Sequence, residues 1–388
     1  MNFKRLERLT AYLESLTDNN VLPCVDCAIN IGGERIYRHT AGYNRIEDKT
    51  PARQDALYNI YSMSKVITCT AALQLWEDGI FLLDEPAAKF IPEFADCTVR
   101  VRNADGSTST EPLARPITFR DLFTMSAGLT YNPDVPAIRE LRESTDNDFG
   151  TVDFFRAYLR EPLSFQPGSR WLYSLCHDAL GALIEVITGM RFGEYLRKHI
   201  FEPCGMKDTG FTLPADKEER YAGQYRRTIQ TDGKSVMEYI GPVCGYKYSD
   251  RCESGGAGII STLDDYSRFA EALCHGGMAA NGNRILSSAA VRAMALNQLD
   301  GERLAFFLGE NPGRSGYGYG LGVRTMIDPA KAAVLSSEGE FGWGGAAGSY
   351  VLIDPANDMT IVFFTHMLNG YNAVIHPRIK SLVYSSLD

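Results

Sequence analysis

The sequence predicts an α/β chain of the α+β type: one antiparallel sheet built from both chain ends, flanked by helices, with a mainly helical domain inserted between them. Three observations carry this. Strand patterns open the chain, helical patterns fill its middle, and strand patterns return in the last third. Terminal strands on either side of a helical insertion pair most simply in one sheet covered by helices. The expected division is an α/β domain over 1–95 and 255–388, interrupted by a helical domain over 96–254.

Phe3, Leu6, Leu9, Leu13 and Leu16 form one stripe at helical spacing, so the chain opens on an amphipathic helix. Residues 27–31 and 35–37 are strand-like and meet at Gly32-Gly33, a hairpin signal. A polar stretch over 44–54 precedes a helix over 63–76, with Gly79 as its stop. Residues 80–92 carry two prolines and read as a connection, and the Asp105-Gly106 turn after Val99–Arg102 suggests a small exposed ribbon. Helical patterns follow over 117–122, with Thr118 as N-cap, and over 154–163, 175–187, 192–200 and 263–275. Strands are expected over 317–324, 332–335, 348–353 and 360–365, with a turn over 354–358.

Of 388 residues, 45% are hydrophobic and 22% charged, which excludes a mainly disordered chain. Thirty-nine Lys and Arg against 48 Asp and Glu leave a net charge of −9, with no basic run, so neither nucleic acid nor an anionic membrane surface is an expected partner. No apolar core follows the basic N-terminal residues as a signal peptide requires, and no stretch of 18 apolar residues exists. Nine scattered cysteines, an odd count, suit reduced thiols and a cytoplasmic location. Cys24 and Cys27 form a C-x-x-C pair without a second ligand pair, and the six histidines show no metal-binding spacing. No metal or organic cofactor is expected.

Several catalytic motifs fail. G-x-S-x-G is absent, and Gly233-Lys234-Ser235 lacks the glycine that a phosphate loop needs at 228. Tyr61 and Lys65 form Y-x-x-x-K, but no dinucleotide loop precedes them. Ser62-Met63-Ser64-Lys65 is different: S-x-x-K at a helix start puts both side chains on one face, about 5–6 Å apart at Cβ. A serine hydroxyl is a weak nucleophile without a base in reach. A buried lysine can be that base when desolvation favours the neutral amine. The helix start adds free N–H groups for a developing oxyanion.

S-x-x-K alone is short and common. It is followed by Ile117–Leu129, Tyr173-Ser174-Leu175, Glu202–Phe211 and Phe341-Gly342-Trp343-Gly344-Gly345. This ordered set, spanning about residues 20 to 370, resembles the serine β-lactamase-like family. Within it, the set resembles the class C-related branch of family VIII carboxylesterases and acyltransferases.

The resemblance implies a β-lactamase/transpeptidase-like fold. It implies Ser62 as the acylated nucleophile, Lys65 as its activating partner and Tyr173 as the second acid/base. It also implies an oxyanion hole from the backbone N–H groups of Ser62 and Ala346. Tyr61, Leu175, Trp343, Gly344 and Gly345 are the implied substrate-contacting positions. Two departures select the branch. Trp343-Gly344-Gly345 stands where penicillin-recognising relatives carry K-T-G or H-T-G, and Leu175 stands where Y-x-N has its asparagine. Both changes remove polar, anion-binding groups, so neutral acyl groups in small-molecule esters or thioesters are the expected substrates. The expected activity is serine carboxylesterase. The alternatives are acyl transfer to an alcohol or amine, a β-lactamase or D,D-peptidase, and a non-catalytic scaffold of the same fold.

Overall fold

Both chain ends meet in one sheet. The computed structural model describes residues 3–387 except 213, 232, 243 and 311. Helix α1 (Phe3–Asp18) leads into strands β1 (Cys24–Ile31), β2 (Glu34–Arg45) and β3 (Thr50–Pro51). Far along the chain come β4 (Tyr317–Tyr319), β5 (Arg324–Met326), β6 (Phe341–Gly344), β7 (Tyr350–Asp354) and β8 (Met359–Phe364). They form an eight-stranded antiparallel sheet in the order β4-β5-β6-β7-β8-β1-β2-β3. The seam is β1 on β8, with Ala28 opposite Val362. Gly32 and Gly33 both take positive φ, the geometry that a two-residue hairpin turn needs.

Alternation along β1 divides the core. Val25, Cys27 and Ile29 face the Leu6, Leu9, Leu13 and Leu16 stripe of α1 and the inner face of a C-terminal helix. Cys24 and Ala28 face the opposite side, where Leu263, Phe269 and Leu273 pack. Between the strand groups lie α2 (Ser64–Glu77), α3 (Cys176–Thr188) and α4 (Leu263–Cys274); α5 (Asn372–Tyr384) ends the chain. Helix α2 is buried on every side from Ser64 to Leu73. It is the hydrophobic post against which α3 and the surrounding helices pack.

Several expectations are corrected. Residues 317–324 are not one strand: Gly320–Val323 turns the chain back, with Gly322 at φ +95°, so β4 and β5 form a hairpin. Residues 332–335 form no strand; Ala332 closes a short turn over Pro329–Lys331, and Leu335 is exposed. The helix expected over 154–163 is Thr151–Tyr158, because Leu163 instead pairs with the strand Thr98–Arg102. The helix α5 and those at Pro136–Ser144, Ser288–Ala295 and Gly301–Gly309 had no counterpart in the sequence pattern. No helix among the described residues is long and apolar enough to cross a membrane.

Candidate active site

Ser62 sits where a short strand becomes a helix. Tyr58–Asn59 pairs with Ile260–Ser261, and Ile60 N–H bonds to Ile259 O at 3.0 Å. Tyr61 then takes φ +46°, a strained value for a bulky residue, and one 3₁₀ turn runs into α2. Tyr266 Oη donates to Met63 O at 2.9 Å, and Ser64 Oγ accepts from Ile259 N–H at 3.2 Å. The 202–211 motif backs this arrangement, because Gly210 exchanges two backbone hydrogen bonds with Ile260. Ser62 is thus clamped, 8% exposed.

Lys65 follows one turn on and is fully buried. Its Nζ donates to Gly256 O at 2.6 Å, to Tyr131 Oη at 3.2 Å and to Ser62 Oγ at 3.4 Å. It lies over two aromatic faces, 4.7 Å from the Tyr173 ring centre and 5.0 Å from that of Tyr131. Three acceptors and two ring faces suit an ammonium, which carries three donors and no acceptor.

Tyr173 is fixed by its neighbours. Leu172 N–H bonds to Met125 O (3.0 Å) and Leu175 N–H to Thr130 O (3.1 Å), tying its loop to the 117–129 motif. That motif is a cradle: Thr118 and Asp121 form a reciprocal cap, and Arg115 pairs with Asp121 at 2.6 Å. Gly128 turns at φ +91° where a Cβ would meet Phe165 O at 2.4 Å. The Tyr173 ring lies between Tyr131 (5.1 Å) and Trp343 (5.8 Å) in a stack.

Ser62 and Tyr173 open onto a cavity of about 580 Å³, with Trp343, Gly344, Gly345 and Ala346 along one wall. Ala346 is exposed at the mouth, and its N–H has no protein acceptor among the described residues. Arg314, Arg324 and Lys380 also reach this wall. Each faces a carboxylate: Arg314 lies 3.6 Å from Glu310, while Lys380 (2.5 Å) and Arg324 (3.6 Å) share Glu340.

Two expected contact positions lie elsewhere. Leu175 is fully buried in the core and off the cavity wall, because its backbone is held by Thr130 just before α3 begins. Tyr61 is also off that wall; its hydroxyl donates to Gln224 Oε1 at 2.9 Å and its ring meets Tyr246. Conversely, Tyr131, Asp178 and the Gly256 carbonyl were missed. The available signals were Tyr131 just after the 117–129 motif and Asp178 five residues beyond Tyr173. Burial holds the Tyr131 phenol well above its ordinary range. Cys24 and Cys27 are buried strand thiols, burial pushing Cys24 up to about 12, and the described residues contain no cluster able to hold a metal ion.

The family model described as Beta-lactamase matches residues 9–383. Esterase EstB of Burkholderia gladioli is 30% identical over 375 residues, 91% of this chain and 88% of its own. Lovastatin esterase of Penicillium rubens is 28% identical over 367 residues, 90% of each chain. The solved structure of EstCE1, titled a hydrolase with promiscuous acyltransferase activity, matches in fold with a TM-score of 0.77 over 98% of both chains at 23% identity. With the family model covering nearly its whole length and an esterase 30% identical over nine-tenths of it, the chain belongs to the beta-lactamase family.

Proposed function

We propose that this chain is a serine carboxylesterase that cleaves small neutral esters through an acyl-Ser62 intermediate. The observation that carries the reading is Lys65 Nζ within reach of Ser62 Oγ, under the Tyr173 ring, on a 580 Å³ cavity walled by Trp343. Ser62 Oγ attacks the ester carbonyl and its proton passes to the Lys65–Tyr173 pair. The Ser62 and Ala346 N–H groups receive the oxyanion. Tyr173 returns the proton to the leaving alkoxide, and water then attacks the acyl-enzyme by the reverse route. The pairing of every cation on the wall with a carboxylate supports a neutral acyl group.

Acyl transfer is the second reading. It shares the first half-reaction, and the wide cavity beside Trp343 leaves room for an alcohol acceptor. The proposal includes the division at 1–95, 96–254 and 255–388, and a cytoplasmic setting in which the nine unpaired cysteines stay reduced.

The test is turnover of p-nitrophenyl butyrate and of nitrocefin by wild type and Ser62→Ala. Ester turnover should fall by about 10³-fold or more in the variant with melting temperature unchanged, and nitrocefin should be a poor substrate. Ester turnover retained by Ser62→Ala refutes the nucleophile. Fast nitrocefin hydrolysis refutes the substrate argument.

A further inference from the structure

Asp178 is a buried carboxylate that the reaction above does not use. It lies on the first turn of α3 and is 3% exposed. Its Oδ1 accepts from Ser254 Oγ at 2.5 Å and from Gly256 N–H at 3.2 Å. Its Oδ2 is buried and has no hydrogen-bond partner among the described residues. A Cβ on Gly256 would lie 2.3 Å from Asp178 Oδ2 and 3.2 Å from Lys65 Nζ. The carboxylate and the ammonium therefore face each other across a bare Cα, at most about 5.5 Å apart, close enough for strong coupling in a dry interior. Gly256 serves twice, since its carbonyl takes the Lys65 proton donor and its N–H holds Asp178.

We propose that Asp178 is a positioning residue that supplies the counter-charge holding the buried Lys65 as an ammonium. This rests on the acyl-Ser62 reading and deepens it. A fully buried ammonium with no carboxylate within 4 Å among the described residues needs a counter-charge nearby, and Asp178 supplies it. The ammonium lies 4.7 Å from the Tyr173 ring centre, so Asp178 acts on the group that borders both Ser62 and Tyr173.

Among the other titratable groups around Asp178, burial and the Asp178 charge both keep Tyr158 and Cys176 protonated. Tyr246 and Tyr248 come from the 244–254 segment, and the charge of Asp178 adds to burial in keeping both protonated. Cys252, from the same segment, is a buried thiol held protonated. His177, the preceding residue on α3, bonds through Nε2 to Phe123 O and is neutral, burial pulling it to about 3. Cys69 on α2 is fully buried and protonated. Lys65 is the cation that acts on Asp178, partly offsetting the burial that raises its carboxyl.

The experiment is the pH profile of Ser62 labelling by an alkyl fluorophosphonate, in wild type and Asp178→Asn. The serine oxygen bonds to phosphorus and fluoride leaves, so the readout reports nucleophile activation whatever the natural acyl acceptor. Asp178→Asn should shift the alkaline limb down by about 1–2 pH units, because an ammonium without its counter-charge surrenders its proton sooner. Unmoved limbs overturn the proposal. So does an acid limb moved to lower pH with faster labelling, since that identifies neutral Lys65 as the base. Should Asp178→Asn fail to fold, Asp178→Ser removes the same charge and should move the alkaline limb down in the same way; an unmoved limb again overturns it. Wild type that takes no label fails the nucleophile assignment itself, an outcome separate from these.

Discussion

Gly345→Ala is the substitution whose effect can be worked most directly from the coordinates. Gly345 directly follows β6, and its N–H closes a tight turn onto Ser349 O at 2.7 Å. A Cβ there would lie 2.1 Å from Ser349 Oγ and 2.3 Å from Ile60 O. Ordinary contacts begin near 3.4 Å, so strand and serine loop must separate by roughly 1 Å in a close-packed interior. Ile60 has little room to yield. Its N–H is bonded to Ile259, and its carbonyl accepts from Met63 N–H (3.2 Å) and Ser349 Oγ (3.0 Å). The displacement therefore falls on the gap between Ser62 and Ala346. Misplacing oxyanion donors by such a distance costs about 10²-fold in kcat/KM, or about 2.7 kcal/mol of barrier. Overpacking itself costs about 1–3 kcal/mol of stability. The assay is p-nitrophenyl butyrate hydrolysis with melting temperature alongside. Adding Ser349→Gly removes one overlap and leaves the one with Ile60, so the double variant should stay impaired. Gly345→Ala retaining activity within about threefold would refute the reasoning.

Two further predictions concern the acid/base pair and the pH dependence of stability. Tyr173→Phe keeps the stack on Tyr131 and Trp343, so the fold should survive while kcat falls by about 10²-fold or more; a loss below tenfold moves the acid/base role elsewhere. His177 and His366 are buried and His376 is half-buried; desolvation keeps all three neutral, pulling them to about 3, 4 and 4. Exposed on unfolding, they titrate near 6.5, so below that pH the unfolded chain binds the extra protons and stability falls steadily toward about pH 4. The melting temperature should therefore drop between pH 7 and 5, and less steeply in His366→Gln. An equal slope in the two proteins would contradict this origin.

The sequence showed most plainly what is local. S-x-x-K at a helix start is a spacing of three residues, and helix geometry alone brings Ser62 and Lys65 together. The leucine stripe of α1 and the Gly32-Gly33 hairpin rest on equally short-range patterns. Leu175 shows where this fails. The motif puts it two residues from Tyr173, but its side-chain direction is set by a hydrogen bond to Thr130, across the fold. Tyr131, Asp178 and Gly256 converge on Lys65 from three separate segments, and only tertiary packing makes them neighbours. The β4–β5 hairpin was hidden because its alternation runs through both arms, and only the left-handed Gly322 marks the reversal.

The central claim is that Ser62 carries the acyl group. Rapid quenching of wild type after mixing with p-nitrophenyl butyrate, followed by peptide mapping by mass, tests it most directly. The account predicts a butyryl adduct confined to the peptide containing Ser62, formed at the rate of the nitrophenol burst and discharged by water or an added alcohol. An adduct on any other residue, or turnover with no adduct and no burst, would contradict it.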